Sequence, residues 1–186
     1  MIEPHRTAAL PLLVRTVLPD EADHVAALHH RARSTYYPDG LPQDGTDWPA
    51  RWREAIGRPD GTVLCAVRDG CLVGIASFRV PEGGPADTVK LFQFHVEPDR
   101  WGSGVGTALH RACAEQWYAD GRRTAVLDVH ADNHRARRFY ARHGWTPDPR
   151  QPSAADDHHL HLCLLVPAPA RGGGAGGSGP GMNPTG

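Results

Sequence analysis

The chain has 186 residues, with 20 Lys and Arg against 21 Asp and Glu, 12 histidines and a formal net charge of −1. That length suffices for one domain with its own core. The balanced charge excludes binding driven by a basic face, so neither nucleic acid nor a membrane surface is an expected partner. No apolar run reaches the ~20 residues that a bilayer-spanning helix needs. Ala8–Val14 contains Pro11 and runs into Arg15, which does not make a secretion signal. The cysteines, Cys65, Cys71, Cys113 and Cys163, show no Cys-x-x-Cys spacing and read as buried small hydrophobes of a cytoplasmic protein.

In chain order, Leu12–Val17 reads as a first strand. Pro19-Asp-Glu-Ala-Asp is a helix-start signal, and Val25, Leu28, His29, Ala32 and Tyr36 follow at helical spacing. The run from Pro38 to Gly45 breaks the chain, and Asp47-Trp-Pro-Ala starts a short helix through Ile56. Thr62–Val67 and Cys71–Phe78 are strands joined by a turn at Arg68-Asp-Gly70. Val89–Val96 is a further strand. It leads into Pro98-Asp-Arg-Trp-Gly-Ser-Gly-Val-Gly-Thr-Ala-Leu109, where Gly102, Gly104 and Gly106 alternate before a helix whose apolar stripe is Val105, Ala108, Leu109, Ala112 and Cys113. Ala125–His130 is a buried strand, and Asn133–Gly144 a helix with Asn133 near its start and Gly144 after its end. Trp145 opens another extended segment, and His158–Val166 is the last strand. From Pro167 the composition is Pro, Ala and Gly, with too few apolar groups to offset ordering entropy, so 167–186 is expected to be a disordered tail to a 13–166 domain.

A glycine-rich strand-to-helix turn leaves backbone N–H groups free to converge, and the helix N-terminus behind them adds partial positive charge. That is a phosphate cradle. Its spacing is not the dinucleotide fingerprint, whose third glycine falls on Thr107, and it lacks the Gly-Lys-Ser/Thr ending of a P-loop. The pattern Pro-x-x-Trp-Gly-x-Gly-Val-Gly-x-x-Leu resembles the coenzyme A pyrophosphate loop of the GNAT superfamily of acetyl-CoA-dependent N-acetyltransferases. The later Asn-x-x-Ala-x-x-Phe-Tyr-x-x-x-Gly-aromatic segment, residues 133–145, again looks like GNAT. The resemblance covers roughly residues 13–166.

The resemblance implies an α/β (α+β) fold with a mixed, mostly antiparallel central sheet of about seven strands flanked by helices. It implies that strands four and five splay into a V, where the pantetheine arm of acetyl-CoA enters like an added strand beside Phe94, His95 and Val96. The cofactor set it suggests is Trp101, Gly102, Ser103, Gly104, Val105, Gly106 and Thr107 for the pyrophosphate, with Asn133 and Tyr140 further along. Trp101 stands where many relatives carry Arg or Gln, so it either touches the cofactor or covers apolar surface, and Arg100 is left to supply charge. Asn133 caps the helix, bonds the pantetheine arm, or does both.

Acetyl transfer needs an amine freed of its proton and a thiolate given one. The resemblance makes Tyr140 the general acid. A phenol with a pKa of about 10 can protonate a thiolate whose conjugate acid lies at about 8.5. Simple packing beside Phe139 is the competing role. His95 and Glu97 are the candidate bases, and a water chain is the alternative. Strand alternation puts both on the face opposite Val96 unless a bulge intervenes. The acceptor is expected between the first two helices and the last two strands, near Tyr36, Tyr37, Asp39, Asp44 and Asp47, where acid and aromatic groups would suit a cationic amine. A small-molecule amine leads, with a protein N-terminus or lysine as the alternative. A non-catalytic coenzyme A sensor and a longer-chain acyl donor are the other readings. His158, His159 and His161 lack a recognised zinc spacing and read, with His29 and His30, as surface residues, so no metal is expected. A homodimer is left open.

Overall fold

The computed structural model describes residues 11–37, 41, 45–154 and 158–169. Its elements are β1 (Leu13–Thr16), α1 (Ala22–Ser34), α2 (Trp48–Gly57), β2 (Gly61–Arg68), β3 (Cys71–Arg79), β4 (Thr88–Val96), α3 (Val105–Ala119), β5 (Thr124–His130), α4 (His134–Arg142), β6 (Thr146–Pro147) and β7 (His159–Leu165). The strands form one sheet in the order β1-β2-β3-β4-β5-β7-β6. Every neighbouring pair is antiparallel except β4 and β5, which run parallel. The expected fold class and element order are both present. From residue 170 on, the expected tail lies outside the described residues. No helix among the described residues is long and apolar enough to cross a membrane.

Local chemistry sets the turns. Asp69 and Gly70 both have positive φ, 53° and 77°, as a two-residue hairpin loop between right-twisted strands requires. Asp47 and Asn133 cap α2 and α4, accepting from the N–H groups of Ala50 and Ala136 at 2.9 and 3.0 Å.

The sheet separates two cores. On one face α1 and α2 bury Val25, Leu28 and Trp52 against Val63, Cys65 and Ile75. On the other, α3 and α4 bury Leu109, Cys113, Trp117 and Tyr140 against Leu64, Ala76, Phe78, Val89, Leu91 and Leu127. Of the α3 stripe read from the sequence, Val105, Leu109 and Cys113 are buried and Ala108 and Ala112 half-buried, and the buried face also takes in His110, Ala114 and Trp117.

One irregularity decides which face each side chain of β4 takes. Phe78 pairs with Leu91 and Ser77 with Gln93, so Phe92 is an extra, unpaired residue. Such a bulge shifts the alternation by one. Val89 and Leu91 before it, and Phe94 and Val96 after it, therefore all face α3 and α4. Gln93 and His95 face α1 and α2. The bulge lies upstream of His95, so the expected opposition of His95 and Val96 holds.

Two readings are corrected. His29 is not on the surface: it is 1 % exposed, held edge-on against Trp48 and Trp52. Its neighbour in the helical repeat, Val25, is buried too, and the indoles of α2 close over both. Of the cysteines only Cys65 and Cys113 are buried, whereas Cys71 is exposed beside the hairpin turn and Cys163 is half-buried on β7.

His29 and His110 each accept an indole N–H, from Trp52 at 3.3 Å and from Trp145 at 2.9 Å. An imidazolium has no lone pair with which to accept, so both rings are neutral. Burial pushes each pKa down to about 4. The unfolded chain takes up protons near its ordinary pKa of about 6.5, which the folded chain refuses. Stability is therefore full above pH ~6.5 and falls as the pH drops toward ~4, by up to about 3 kcal/mol per histidine. Urea unfolding between pH 7 and 4 should show this slope, and His110→Gln should make it shallower.

Candidate active site

Strands β4 and β5 pair over only three residues, Thr88–Lys90 with Thr124–Val126. Beyond that point β4 stays bonded to β3 as far as Val96, and β5 to β7 as far as His130. The two strands thus part into a wedge whose facing edges carry backbone N–H and C=O groups that neither sheet half uses. An extended ligand can pair with such an edge as an added strand does.

The glycine turn sits at the wide end of the wedge. Gly102 and Gly104 have φ of 76° and 84°, conformations that L side chains rarely adopt. The first bond of α3 runs from Ala108 N–H to the Gly104 carbonyl at 3.0 Å. The N–H groups of Val105, Gly106 and Thr107 ahead of it are the free donors of a helix start. Gly106 is required for a different reason. A Cβ there would stand 3.1 Å from Phe139 Cε2 and 3.7 Å from Val96 Cγ2, so its absence lets α3 approach α4 and β4. These donors, an open turn and the wedge fit an extended ligand that carries a pyrophosphate.

Trp101 covers and fastens the turn. Its Nε1–H donates to the Val96 carbonyl at 3.0 Å, and the Arg135 guanidinium lies 3.9 Å above its ring. The expected pairing of a ligand with backbone groups near Val96 thus loses one acceptor, the Val96 carbonyl, to the indole. Arg100 keeps its guanidinium at Asp99, 3.6 Å away. Arg68 reaches Ser103 from the β2–β3 hairpin, donating to Oγ at 3.3 Å. Arg68 and Arg135 bring positive charge to the turn, and neither was singled out from the sequence. Both lie outside the glycine motif, and only folding brings them to it.

Tyr140 and His95 flank β4 from opposite faces. Tyr140 is 6 % exposed and packs against Phe94, Phe139 and Trp145 at ring separations of 6.2, 5.5 and 5.6 Å. Burial raises its pKa far above the ordinary phenol value, with Cys113 and Tyr36 acting in the same direction, so it stays protonated. His95 is held well below its ordinary pKa by burial first, then by His29 and Arg33. Its Nε2 lies 2.8 Å from Gln93 Oε1. Glu97 is committed to Arg31, whose Nε donates to both carboxylate oxygens at 3.1 and 3.2 Å.

The acceptor side differs from the acidic surface expected. Asp47 is spent as a helix cap, and Asp39 and Asp44 lie outside the described residues. Tyr36 and Tyr37 instead gather on His130, with Tyr37 5.6 Å from that ring, and Arg33 lies over both Tyr37 and Trp48. His161 is drawn into a charge network: its Nδ1 is 2.7 Å from Asp128, which Lys90 also holds at 2.6 Å. Among the described residues no group of three or more His, Cys, Asp or Glu is placed to hold a metal ion.

The acetyltransferase (GNAT) family matches residues 25–145, well over half of the chain. The protein belongs to the GNAT family. A mycothiol acetyltransferase of Sanguibacter keddieii is 32% identical over 156 residues, 77% of this chain and 47% of the relative. An uncharacterised N-acetyltransferase of Mycobacterium tuberculosis is 33% identical over 120 residues, 63% of this chain and 73% of the relative. This GNAT chain spans about half the length, or less, of the mycothiol acetyltransferases it matches. Its fold is shared with PaiA N-acetyltransferase of Thermoplasma acidophilum, solved with coenzyme A, at TM-score 0.66 and 14% identity over 84% of this chain and 99% of that one. It is shared also with the ribosomal-protein-S18-alanine N-acetyltransferase of Escherichia coli, at TM-score 0.66 and 16% identity over 87% and 97%.

The Gly106 contact gives a test of the cradle in this GNAT protein. Gly106→Val should overpack the junction of α3, α4 and β4 at a cost of about 1–3 kcal/mol. Calorimetric affinity for coenzyme A should fall at least ~10-fold. Thr107→Val, at an exposed position, should leave thermal stability unchanged and report the hydroxyl alone.

Proposed function

We propose that this GNAT protein transfers the acetyl group of acetyl-CoA to the amine of a small molecule, by direct attack in a ternary complex. The observation that carries the reading is the wedge: a phosphate cradle at its wide end, a buried phenol on one face of β4 and a neutral imidazole on the other. The naming of similar proteins as mycothiol acetyltransferases favours a small-molecule acceptor.

In this reading the free backbone N–H groups of Val105, Gly106 and Thr107, at the start of α3 behind the turn that Gly102 and Gly104 open, hold the pyrophosphate, with Arg68 and Arg135 near them. The pantetheine arm pairs with the free edge of β4 along Phe94–Val96. Asn133 keeps its capping bond and orients the start of α4, and so Tyr140. The acceptor arrives as an alkylammonium and must lose a proton before its nitrogen has a lone pair. His95, neutral at pH 7, takes the proton; Glu97 is tied by Arg31 and leaves that role to it. The amine nitrogen then bonds to the thioester carbon, the carbon–sulfur bond breaks, and the departing thiolate takes the Tyr140 proton. The nitrogen, still carrying an extra proton after it bonds to carbon, gives that proton to water, and water returns one to Tyr140. The proton taken by His95 passes to solvent, so one proton is released per amide formed. Burial keeps Tyr140 protonated and ready at neutral pH, although it also makes the phenol a weaker acid than a free one.

The test is acetyl-CoA-dependent thiol release across a panel of aminoglycosides, amino sugars, polyamines, aminothiols and N-terminal peptides. Turnover is expected with a small-molecule amine. Tyr140→Phe should lower kcat at least ~10²-fold with little change in the donor KM, and His95→Ala should lower kcat/KM similarly at neutral pH. Turnover confined to peptides would replace the acceptor class, and coenzyme A binding with no turnover on any amine would mark a sensor.

A further inference from the structure

Gln93 stands two residues before His95, and the Phe92 bulge sets both side chains on the α1/α2 face. Its Oε1 lies 2.8 Å from His95 Nε2. An amide oxygen only accepts, so Nε2 carries the hydrogen and the lone pair of the neutral ring is on Nδ1. On α1 lies His29, its ring 4.7 Å from that of His95. Trp52 Nε1–H occupies His29 Nδ1 at 3.3 Å, so the His29 hydrogen is on Nε2, a buried atom with no partner among the described residues. Two neutral imidazoles therefore face each other, each held in a single tautomer by a neighbour. The groups against His95 are all cationic or uncharged: His29 and Arg33 from α1, and Ile75 opposite it on β3. Glu97, next but one along the chain, is engaged by Arg31.

We propose that Gln93 is a positioning residue, whose amide oxygen holds the His95 Nε2–H and so assigns proton acceptance from the acceptor amine to Nδ1. The inference rests on the reading of His95 as the base. In the step, an amine proton passes to Nδ1 and gives an imidazolium with both nitrogens protonated. Gln93 continues to accept from Nε2–H and itself takes no proton. The surroundings disfavour that cation, because the neutral His29 ring supplies no counter-charge and Arg33 adds a positive one. The imidazolium therefore gives its proton up readily, and His95 is returned neutral for the next turnover.

The substitution Gln93→Glu keeps the acceptor and adds a counter-charge. Gln93→Leu removes the acceptor at similar size. Long-range 1H–15N spectra of the imidazoles, recorded on the labelled full chain and with His95 assigned through His95→Gln, read the tautomer directly. The wild-type ring should be neutral at pH 7 with its hydrogen on Nε2. In Gln93→Glu the tautomer should persist and the His95 midpoint should rise by at least one pH unit, with the acid limb of kcat/KM rising by the same amount and the donor KM unchanged. In Gln93→Leu the ring should become a mixture of tautomers and kcat should fall at least ~10-fold, while the His29 signals stay in place and show the fold intact. A hydrogen on Nδ1 in the wild type, or an unchanged tautomer in Gln93→Leu, would overturn the proposal. The expected spectra with full turnover in His95→Ala would instead overturn the base reading, and with it the role given to Nδ1.

Discussion

The parting of β4 from β5 after three paired residues is the constraint on which the rest of the structure depends. A parallel pair carried to its full length would leave a closed sheet with no backbone groups to offer. Here β4 is kept by β3 and β5 by β7, and the two halves diverge while each remains bonded on its outer side. The backbone groups at the break cannot pair with each other, and their hydrogen-bonding capacity is available to an extended ligand. The glycine turn that leaves β4 is delivered to the mouth of the same opening, because the chain must cross from the end of β4 to the start of α3 there. Cradle and wedge are two consequences of one break.

The bulge at Phe92 distributes the chemistry across that opening. Without the extra residue, Phe94 and Val96 would point at α1 and α2, and Gln93 and His95 at the aromatic core under α3. With it, Phe94 joins Phe139 and Tyr140 on one face, while His95 meets His29 on the other. A phenol and an imidazole are thus separated by the thickness of one strand. Burial then acts on both in the direction that favours the uncharged form: it raises the phenol and lowers the imidazole. The phenol and the imidazole are both uncharged at neutral pH, and burial on its own side of β4 widens that range for each.

Charge is used sparingly around this centre, and mostly to fix position. Arg31 holds Glu97 at the end of β4, Lys90 and His161 hold Asp128 across β5, and Arg135 lies on Trp101 beside the turn. Each pair ties two elements that border the wedge. Their net contribution to stability is small where they are exposed. Their effect is on geometry, since each fixes one border of the wedge relative to another.

The sequence by itself determined the order of elements, the glycine turn and the caps, because these depend on residues close together in the chain. Period, turn chemistry and helix-start signals are local, and Gly102, Gly104, Asp69-Gly70 and Asn133 do in the structure what their types require. Spacing alone did not decide what lies across from what. His29 read as surface because one helix face cannot reveal the two indoles of α2 that cover it. Asp47 stood in the acidic stretch where a cationic acceptor was expected, and its carboxylate is used instead as the cap of the helix it starts. Arg68 and Arg135 had no local pattern to mark them, since they reach the glycine turn from a hairpin and from a helix distant in the chain. The bulge at Phe92 left no residue signature either, because an inserted residue becomes visible only against the strand it pairs with. Tertiary structure supplied these, since each is a relation between segments that only folding brings together.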